Sequence, residues 1–253
     1  MALQSCRPSL MRCKHASRAL APCLRTYATT PTPDSFKITE NDDKPAVPRW
    51  KETPAGMRAP MQMDFARSPR NKVWHVNNNP ARLDEMYEKL LGPGGSRMLP
   101  EELKWLAVTH KSFDQGRRGF NDKLALMGRL TMVMEATKEI ISKDPLEGSI
   151  LADEFGRTPL ENEQLLSVDN LNVEGPKDAI GKEKLYALAT KVRLLDVMRW
   201  KPRLTQRLES SGVETVLNAA IMAIIGAITL QHGSVIASKV VRERILAQLP
   251  DDA

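Results

Sequence analysis

The amino-acid sequence predicts an all-α domain preceded by a proline-rich, largely irregular basic extension. From Met98 onward, apolar residues recur at the three- and four-residue spacing of amphipathic helices, without a long alternating strand pattern. Nine of the seventeen prolines fall between residues 28 and 97, where they disfavour long helices and central strands. With 42% hydrophobic residues among 253, the chain is too apolar to be wholly disordered and can bury a substantial core.

The first 27 residues have the composition of a mitochondrial transit peptide. They contain five Lys or Arg and no acidic residue, and polar side chains interrupt every apolar run that a secretory signal would need. The segment Arg25-Thr26-Tyr27-Ala28 resembles a matrix-processing site, which predicts cleavage after Tyr27. A basic disordered tail is the alternative interpretation.

Removal of this leader changes what the composition implies. The formal charge of +6 falls to near neutrality, because 32 basic residues then face 31 acidic ones. All three cysteines lie in the leader, so the mature chain is expected to have no disulfide, no thiol chemistry and no Cys-ligated metal. We therefore expect a matrix protein. The high isoelectric point of the full chain comes from its targeting segment and not from the mature protein.

The extension over residues 28–97 contains a basic segment, residues 44–82, with interleaved aromatic side chains. Such a segment suits an arm that neutralises phosphates and stacks on bases, and a solvated linker is the alternative. The cations predicted to contact RNA are Arg49, Lys51, Arg58, Arg67, Arg70 and Lys72. A short helix over Pro80–Leu91 closes the extension, and the glycine-rich linker 92–95 ends it.

The first helices of the domain have clear start signals. Pro100, followed by two glutamates, predicts a helix start, and Asn121 or Asp122 is expected to cap a long helix that ends near Ser142. On that long helix, the apolar residues predicted to share one face are Leu124, Met127, Leu130, Val133 and Met134.

The second half of the domain is predicted to contain an acidic loop and three more helices. The loop spans 144–178 and includes a short helical piece. A helix over Lys182–Trp200 is expected to end before Pro202, and the last helix spans Val235–Leu249. Between them a helix covers 213–231, with its inner face formed by Val213, Leu217, Ala220, Ile224 and Ile228.

Residues 215–238 carry no charge, which raises the alternative of a transmembrane helix. The continuous apolar core, Ala219–Leu230, has only twelve residues, whereas a bilayer requires about 20. A buried central helix is the better interpretation, so no membrane span is predicted.

Two segments of the domain resemble the signature helices of the ribonuclease III family. One is Thr109-His110-Lys111-Ser112-Phe113 followed by Asn121-Asp122-Lys123-Leu124-Ala125-Leu126-Met127-Gly128-Arg129, and the other is Ala219-Ala220-Ile221-Met222-Ala223-Ile224-Ile225-Gly226-Ala227-Ile228. The resemblance covers about residues 98–249, so a ribonuclease III-like domain is assigned to 98–250. Gly128 and Gly226 lie inside predicted helices, where each costs about 1 kcal/mol relative to alanine, which suggests a close approach of two backbones.

The resemblance implies a degenerate catalytic site. In the family, carboxylates at i and i+4 of the first helix face carboxylates at i and i+3 of the second, and together they hold magnesium ions. The corresponding residues here are Ala125, Arg129, Ala219 and Met222. We therefore expect no metal, no cofactor and no nuclease activity, and we expect His110 to be a hydrogen-bonded residue at a helix end.

The leader, the basic arm and the degenerate site together resemble the ribonuclease III-like proteins of the fungal mitochondrial large ribosomal subunit. This resemblance implies a structural component that contacts large-subunit rRNA through residues 44–82, and further through Lys182–Arg207 if that stretch is not merely a solvated helix surface. It also implies a heterodimer with a second ribonuclease III-like ribosomal protein. Two alternatives remain: a non-catalytic partner of an active double-stranded RNA endonuclease, and a free RNA-binding protein of the matrix.

Overall fold

A computed structural model describes residues 50–51, 69–71, 74–150, 154–157, 162 and 166–249. All of them belong to one compact unit that spans Ala46–Ala253. The predicted transit peptide with its cleavage site lies outside the described residues. So do four of the six arm cations, which are Arg49, Arg58, Arg67 and Lys72.

The described part of the chain is helical and contains no strand. Its seven α-helices are α1 (Pro80–Leu91), α2 (Glu101–Ala107), α3 (Asp122–Ser142), α4 (Pro176–Ala179), α5 (Lys182–Lys191), α6 (Val213–His232) and α7 (Ser234–Val240). Short 3-10 turns join several of them, and one isolated parallel bridge links Thr109 to Arg199. The all-α prediction is confirmed.

Helix α1 begins and ends at the residues that the sequence predicts. Proline occupies its first turn, the Asn79 side chain accepts a hydrogen bond from the backbone N–H of Ala81, and Gly92 follows the last turn with φ of +87°. Its buried face is Leu83, Met86, Tyr87, Leu90 and Leu91. These residues belong to the same core as α3, α5 and α6, so the domain core extends into the segment that the sequence assigned to the extension.

Helix α6 is the centre of the fold. All five residues of its predicted inner face are buried, and so are most of the others from Val213 to Ile228. It is the one helix of the described chain that is long and apolar enough to cross a membrane, with a mean hydropathy of 1.9. Two thirds of that apolar window is buried inside the protein, as expected of a core helix.

Helices α3 and α6 approach each other at their two glycines, as predicted. A Cβ atom on Gly128 would lie 1.8 Å from the Met222 carbonyl oxygen, and one on Gly226 would lie 2.0 Å from the Leu124 carbonyl oxygen. Real Cβ atoms do not come this close to backbone, so any side chain at either position would force the helices apart. The helical glycines therefore set the distance between the two central helices.

The prediction that five apolar residues share one face of α3 was wrong in part. Leu124 is buried and Val133 packs against the core, but Met127, Leu130 and Met134 are exposed. The face that packs against α6 and the rest of the core is instead Leu124, Gly128, Thr131, Met132, Glu135, Ala136 and Ile140. The helix thus has two apolar faces, of which one is buried in the core and the other is exposed to solvent.

The cap of α3 also differs from the prediction. Asn121 occupies the N-cap position, but its side chain makes no capping hydrogen bond. It is fully buried and donates from Nδ2 to the Ala107 carbonyl oxygen at 3.0 Å, so it ties the start of α3 to the end of α2.

The predicted helix over Lys182–Trp200 ends early, at Lys191. Arg193 adopts a left-handed conformation with φ of +58°, which breaks the helix, and a 3-10 turn follows at Leu194–Asp196. The chain is then extended at Arg199, whose N–H donates to the Val108 carbonyl while its own carbonyl accepts from the N–H of His110. This pairing with the end of α2 replaces the last turns of the predicted helix.

The loop after α3 and the C-terminal segment are held by buried polar groups. Asn170 donates to the carbonyls of Ile140, Lys143 and Asp144 and accepts from the Leu146 N–H, which fixes the predicted acidic loop. The predicted last helix is present, but it passes from α7 into a π-helical stretch over Val241–Ile245.

Glu135 links α3 to the C-terminal segment. Its side chain is 1% exposed, accepts hydrogen bonds from Lys138 at 2.8 Å and from Ser238 at 2.9 Å, and pairs with Arg242 at 3.4 Å. Burial opposes ionisation, but these hydrogen bonds and positive charges outweigh it and lower the pKa of Glu135 below its ordinary value.

Candidate functional site

The four positions that the resemblance assigns to the family carboxylates lie on α3 and α6. Ala125 and Met222 pack against the hydrophobic core, Ala219 is half-buried and Arg129 is exposed. The close contact between Gly128 and Met222 brings the two helices together in this region.

These residues do not fit a magnesium ion. Mg²⁺ needs hard oxygen ligands in octahedral geometry, whereas the two alanines and the methionine offer none and Arg129 brings a fixed positive charge. The nearby Asp122, at the start of α3, forms an ion pair with Lys111 at 3.5 Å. Across the residues that the structure describes, no three His, Cys, Asp or Glu side chains are grouped in a way that could hold a metal.

His110 has the structural role that the sequence predicts. Its Nδ1 accepts a hydrogen bond from the Ser112 backbone N–H at 3.2 Å and lies 2.9 Å from the Ser112 hydroxyl. Burial first, and then the charge of Lys111, lower the pKa of His110, so the ring is neutral at physiological pH. The Ser112 hydroxyl in turn accepts from the Lys201 N–H, so this pair stabilises a turn.

An apolar surface on α3 faces solvent. We name the side chains Leu126, Met127, Leu130 and Met134 the outer face of α3. Leu126 and Leu130 are 62% and 60% exposed, which is unusual for two leucines one helical turn apart. Leu230 on α6 is exposed as well. A group of exposed apolar side chains on one helix face is typical of a protein–protein interface.

A second feature, which sequence reasoning missed, is a cluster of aromatic rings around Arg199. The guanidinium lies 3.9 Å from the centre of the Trp105 ring and 4.8 Å from that of Trp50, and the two tryptophans stack at 4.5 Å. The side chain of Arg199 is 2% exposed, and burial together with the nearby Arg118 lowers its pKa to about 10. It remains charged at physiological pH.

This cluster attaches the basic extension to the domain. Arg199 donates from Nη1 to the Trp50 carbonyl at 3.0 Å, and Arg118 donates from Nη1 to the carbonyls of both Trp50 and Lys51. Arg118 is itself held by Asp114, which also binds Arg117. We name these contacts of residue 50 the Trp50 anchor. An isolated tryptophan in a basic segment is the sequence signal for it, but its partner lies 149 residues away.

The predicted RNA-binding residues fall into three groups. Lys51 and Arg70 are described and exposed, and the other four arm cations lie outside the described residues. Within Lys182–Arg207, Arg199 is buried and cannot contact phosphate, which corrects that part of the prediction. The cations that follow it, Lys201, Arg203 and Arg207, lie on the connection between the Thr109–Arg199 bridge and α6, and the two arginines are exposed.

Comparison with known proteins agrees with the signature helices. The family described as Ribonuclease-III-like matches residues 100–249. The large ribosomal subunit protein mL57 of Neurospora crassa is 48% identical over 203 residues, which are 80% of this chain and 76% of that protein. The nuclease domain of ribonuclease III from Campylobacter jejuni aligns with 70% of this chain and all of that domain, at 17% identity and a TM-score of 0.43.

Proposed function

This chain belongs to the ribonuclease III-like family, and from that premise we propose that it is a structural component of the mitochondrial large ribosomal subunit. The observation that carries the proposal is its 48% identity, over four fifths of its length, to a large ribosomal subunit protein. The acid-free leader ending at Tyr27 supports import into the matrix followed by cleavage.

In this role the domain acts as a scaffold and does not cleave RNA. Two-metal hydrolysis requires carboxylates that position both ions, and Ala125, Arg129, Ala219 and Met222 occupy the places of those carboxylates. What the chain retains is the helical framework, with α3 and α6 in close contact through Gly128 and Gly226. A framework of this kind presents surfaces to rRNA and to neighbouring proteins.

The outer face of α3 is the proposed interface with a protein partner. Because its leucines and methionines are exposed in the isolated chain, association would remove them from water. The partner that we propose is a second ribonuclease III-like ribosomal protein, in a heterodimer whose helices pack on this face. Mixing purified wild-type chain with that partner tests this, and a stable dimer of this chain alone would replace the heterodimer with a homodimer.

The basic arm is the proposed contact with large-subunit rRNA. Replacing its six cations Arg49, Lys51, Arg58, Arg67, Arg70 and Lys72 together with glutamine is expected to weaken incorporation into the subunit. Dimerisation should be retained, because the exposed apolar residues of α3 are untouched. Unchanged incorporation would reject the arm as an rRNA contact.

The experiment that tests the proposed function is sedimentation of mitochondrial lysate through a high-salt sucrose gradient. We expect the protein to follow known large-subunit proteins at constant stoichiometry in every fraction. Sedimentation as a small salt-stripped complex would reject the ribosomal assignment and favour a free RNA-binding protein. If that small complex cuts duplex RNA in magnesium, the non-catalytic partner of an endonuclease becomes the better account.

A further inference from the structure

The Trp50 anchor places part of the extension beside exposed cations of the domain. Lys51 follows the anchored residue directly, and its carbonyl is held by Arg118. Arg118 belongs to the same loop as Lys111, which is exposed and lies at the turn formed by His110 and Ser112. The anchor therefore brings Lys51 and the loop that follows α2 together.

A second contact joins the extension to the connection that precedes α6. The Thr205 hydroxyl donates to Asn71 Oδ1 at 3.1 Å, so residues 69–71 lie against residues 203–207. Arg70 precedes Asn71, and Arg203 and Arg207 flank Thr205 by two residues on each side. All three arginines are exposed.

The two contacts are connected through the chain that follows Arg199. The Lys201 N–H donates to the Ser112 hydroxyl, which ties the start of this connection to the loop that bears Lys111. Lys51, Arg70, Lys111, Arg203 and Arg207, which we name the composite cation surface, thus come from four separate segments that hydrogen bonds hold together.

We propose that the composite cation surface binds one continuous stretch of rRNA phosphate backbone, and that the Trp50 anchor and the Asn71–Thr205 contact assemble it together. This inference rests on the proposed ribosomal function and specifies where on the domain the RNA lies. In this proposal the basic arm does not bind RNA alone. Among the described residues, the arm contributes Lys51 and Arg70, and the domain contributes the other three cations.

The charge balance favours a polyanion as the partner. Asp114 is engaged by Arg117 and Arg118, and Asp122 pairs with Lys111 and so offsets one of the five cations. The surface therefore keeps a net positive charge, and its side chains reach outward from fixed backbone positions. Several arginines held in one place suit phosphate oxygens, which they bind through paired N–H groups.

The anchor contributes by organising the arm in advance. A free arm would lose conformational entropy when it binds RNA, whereas residues 50–51 and 69–71 are already in contact with the domain. The anchor also accounts for the burial of the charged Arg199 side chain. Within the described chain no carboxylate pairs with it, and its guanidinium is used on the Trp50 carbonyl and the aromatic rings.

The test uses the purified full-length mature chain and labelled transcripts of mitochondrial large-subunit rRNA fragments, with fluorescence anisotropy at several salt concentrations. Two double variants, K51Q/R70Q and R203Q/R207Q, each remove two charges from the surface. K89Q/R97Q removes two exposed charges from α1 and the turn after it and serves as the matched control. W50A removes the anchor without changing the charge.

We expect each surface double variant to lose about tenfold in affinity and to reduce the salt slope by about 1.5, whereas the control stays at the wild-type value. W50A should also lose affinity although it removes no charge, but less than K51Q/R70Q, because the Asn71–Thr205 contact still holds Arg70 in place. Circular dichroism checks that W50A is folded, and if it is not, the two charge variants carry the test alone, since exposed Lys and Arg tolerate glutamine.

Three results would overturn the proposal. Wild-type affinity in folded W50A would show that the anchor does not assemble the surface. Equal losses in the control and surface variants would mean that the RNA is bound by overall charge. Wild-type RNA affinity combined with failed incorporation of the surface variants would assign the surface to an acidic protein. Failure of the ribosomal assignment itself is seen separately, in the sedimentation of the wild-type chain.

Discussion

The two apolar faces of α3 differ in what they contact. The inner face buries Leu124, Met132 and Ile140 in the core and has Gly128 at the crossing with α6, whereas the outer face leaves two leucines and two methionines in water. The missing side chain at Gly128 allows the two backbones to touch. In an isolated domain a polar outer face would be expected, because groups of apolar side chains are seldom left exposed.

This contrast shows that one helix can carry a face fixed by its packing on α6 and a second face that we propose for a partner. The contact with α6 is close because the fold positions the two helices tightly, and close contact excludes large side chains. The outer face is shaped for a surface that approaches from outside the chain. Large apolar side chains occur on both faces of α3, and the glycine at the crossing with α6 is what sets the inner face apart.

The largest expected effect comes from closing the space at the inner face. Gly128→Ala should lower the free energy of unfolding by about 3 kcal/mol or more, since its Cβ would overlap the Met222 carbonyl. Urea denaturation measures this. Gly181→Ala is the matched control, because a Cβ there would meet its nearest atom at 3.6 Å. Equal stability of the two variants would mean that α3 and α6 separate at little cost.

Charges on the outer face should weaken association with the partner but leave the stability of the monomer unchanged. The double variant L126D/L130D is expected to weaken association with the partner by more than about 100-fold, because it places carboxylates in an apolar interface. Its unfolding free energy as a monomer should stay within about 0.5 kcal/mol of wild type. Light scattering of the mixed proteins provides the measurement.

The control for that variant is F155D, which changes an exposed aromatic residue away from α3 in the sequence. It should leave association intact. Retained association in L126D/L130D would show that the outer face is not the interface, whereas a large loss of monomer stability would show that it packs against the chain itself.

Glu135 provides a further test of the inner face of α3, because it is an ionised group buried there. Its folded-state pKa is lowered, so its stabilising contribution is complete above the unfolded value of about 4.3 and is lost as the pH falls through the folded-state value. Glu135→Gln should cost about 2 kcal/mol at pH 7 and should flatten the loss of stability below pH 5.

Denaturation of both proteins between pH 3 and pH 7 provides that test. The matched control is Glu139→Gln, an exposed residue one turn further along α3. Parallel pH profiles for wild type and Glu135→Gln would mean that other carboxylates are responsible for acid sensitivity.

The smallest effect is expected from the hydroxyls between α3 and α6. Thr131→Val removes the hydrogen bond to the Met127 carbonyl and the contact with Thr229, and should cost about 1 kcal/mol. Thermal unfolding followed by circular dichroism can resolve this change. Thr137→Val on the same helix, which also bonds the carbonyl four residues earlier but has no partner hydroxyl on α6, isolates the contribution of the contact between helices.

The sequence predicts the elements whose boundaries depend on local chemistry. Pro80 and Gly92 place α1, Pro100 starts α2, and the uncharged run with Gly226 identifies the central helix and its close contact with Gly128. In each case the residues involved determine the local structure with little help from the rest of the chain.

The features that escaped prediction depend on distant partners. The end of α5 at Lys191 follows from the pairing of Arg199 with the loop after α2, about 90 residues earlier in the chain. The exposure of Leu130 follows from which face of α3 meets α6, and helical periodicity is equally consistent with either face. The role of Trp50 was hidden because a tryptophan between basic residues is also typical of a nucleic-acid-binding arm.

The ring cluster around Arg199 also constrains the order in which the chain folds. Trp50, Trp105 and Arg199 are separated by 55 and then 94 residues, so the cluster closes two long loops at once. Because long loops close slowly, we expect Trp50 to dock late, after the helices have formed. Recovery of tryptophan fluorescence more slowly than of helical circular dichroism during refolding would agree with this order.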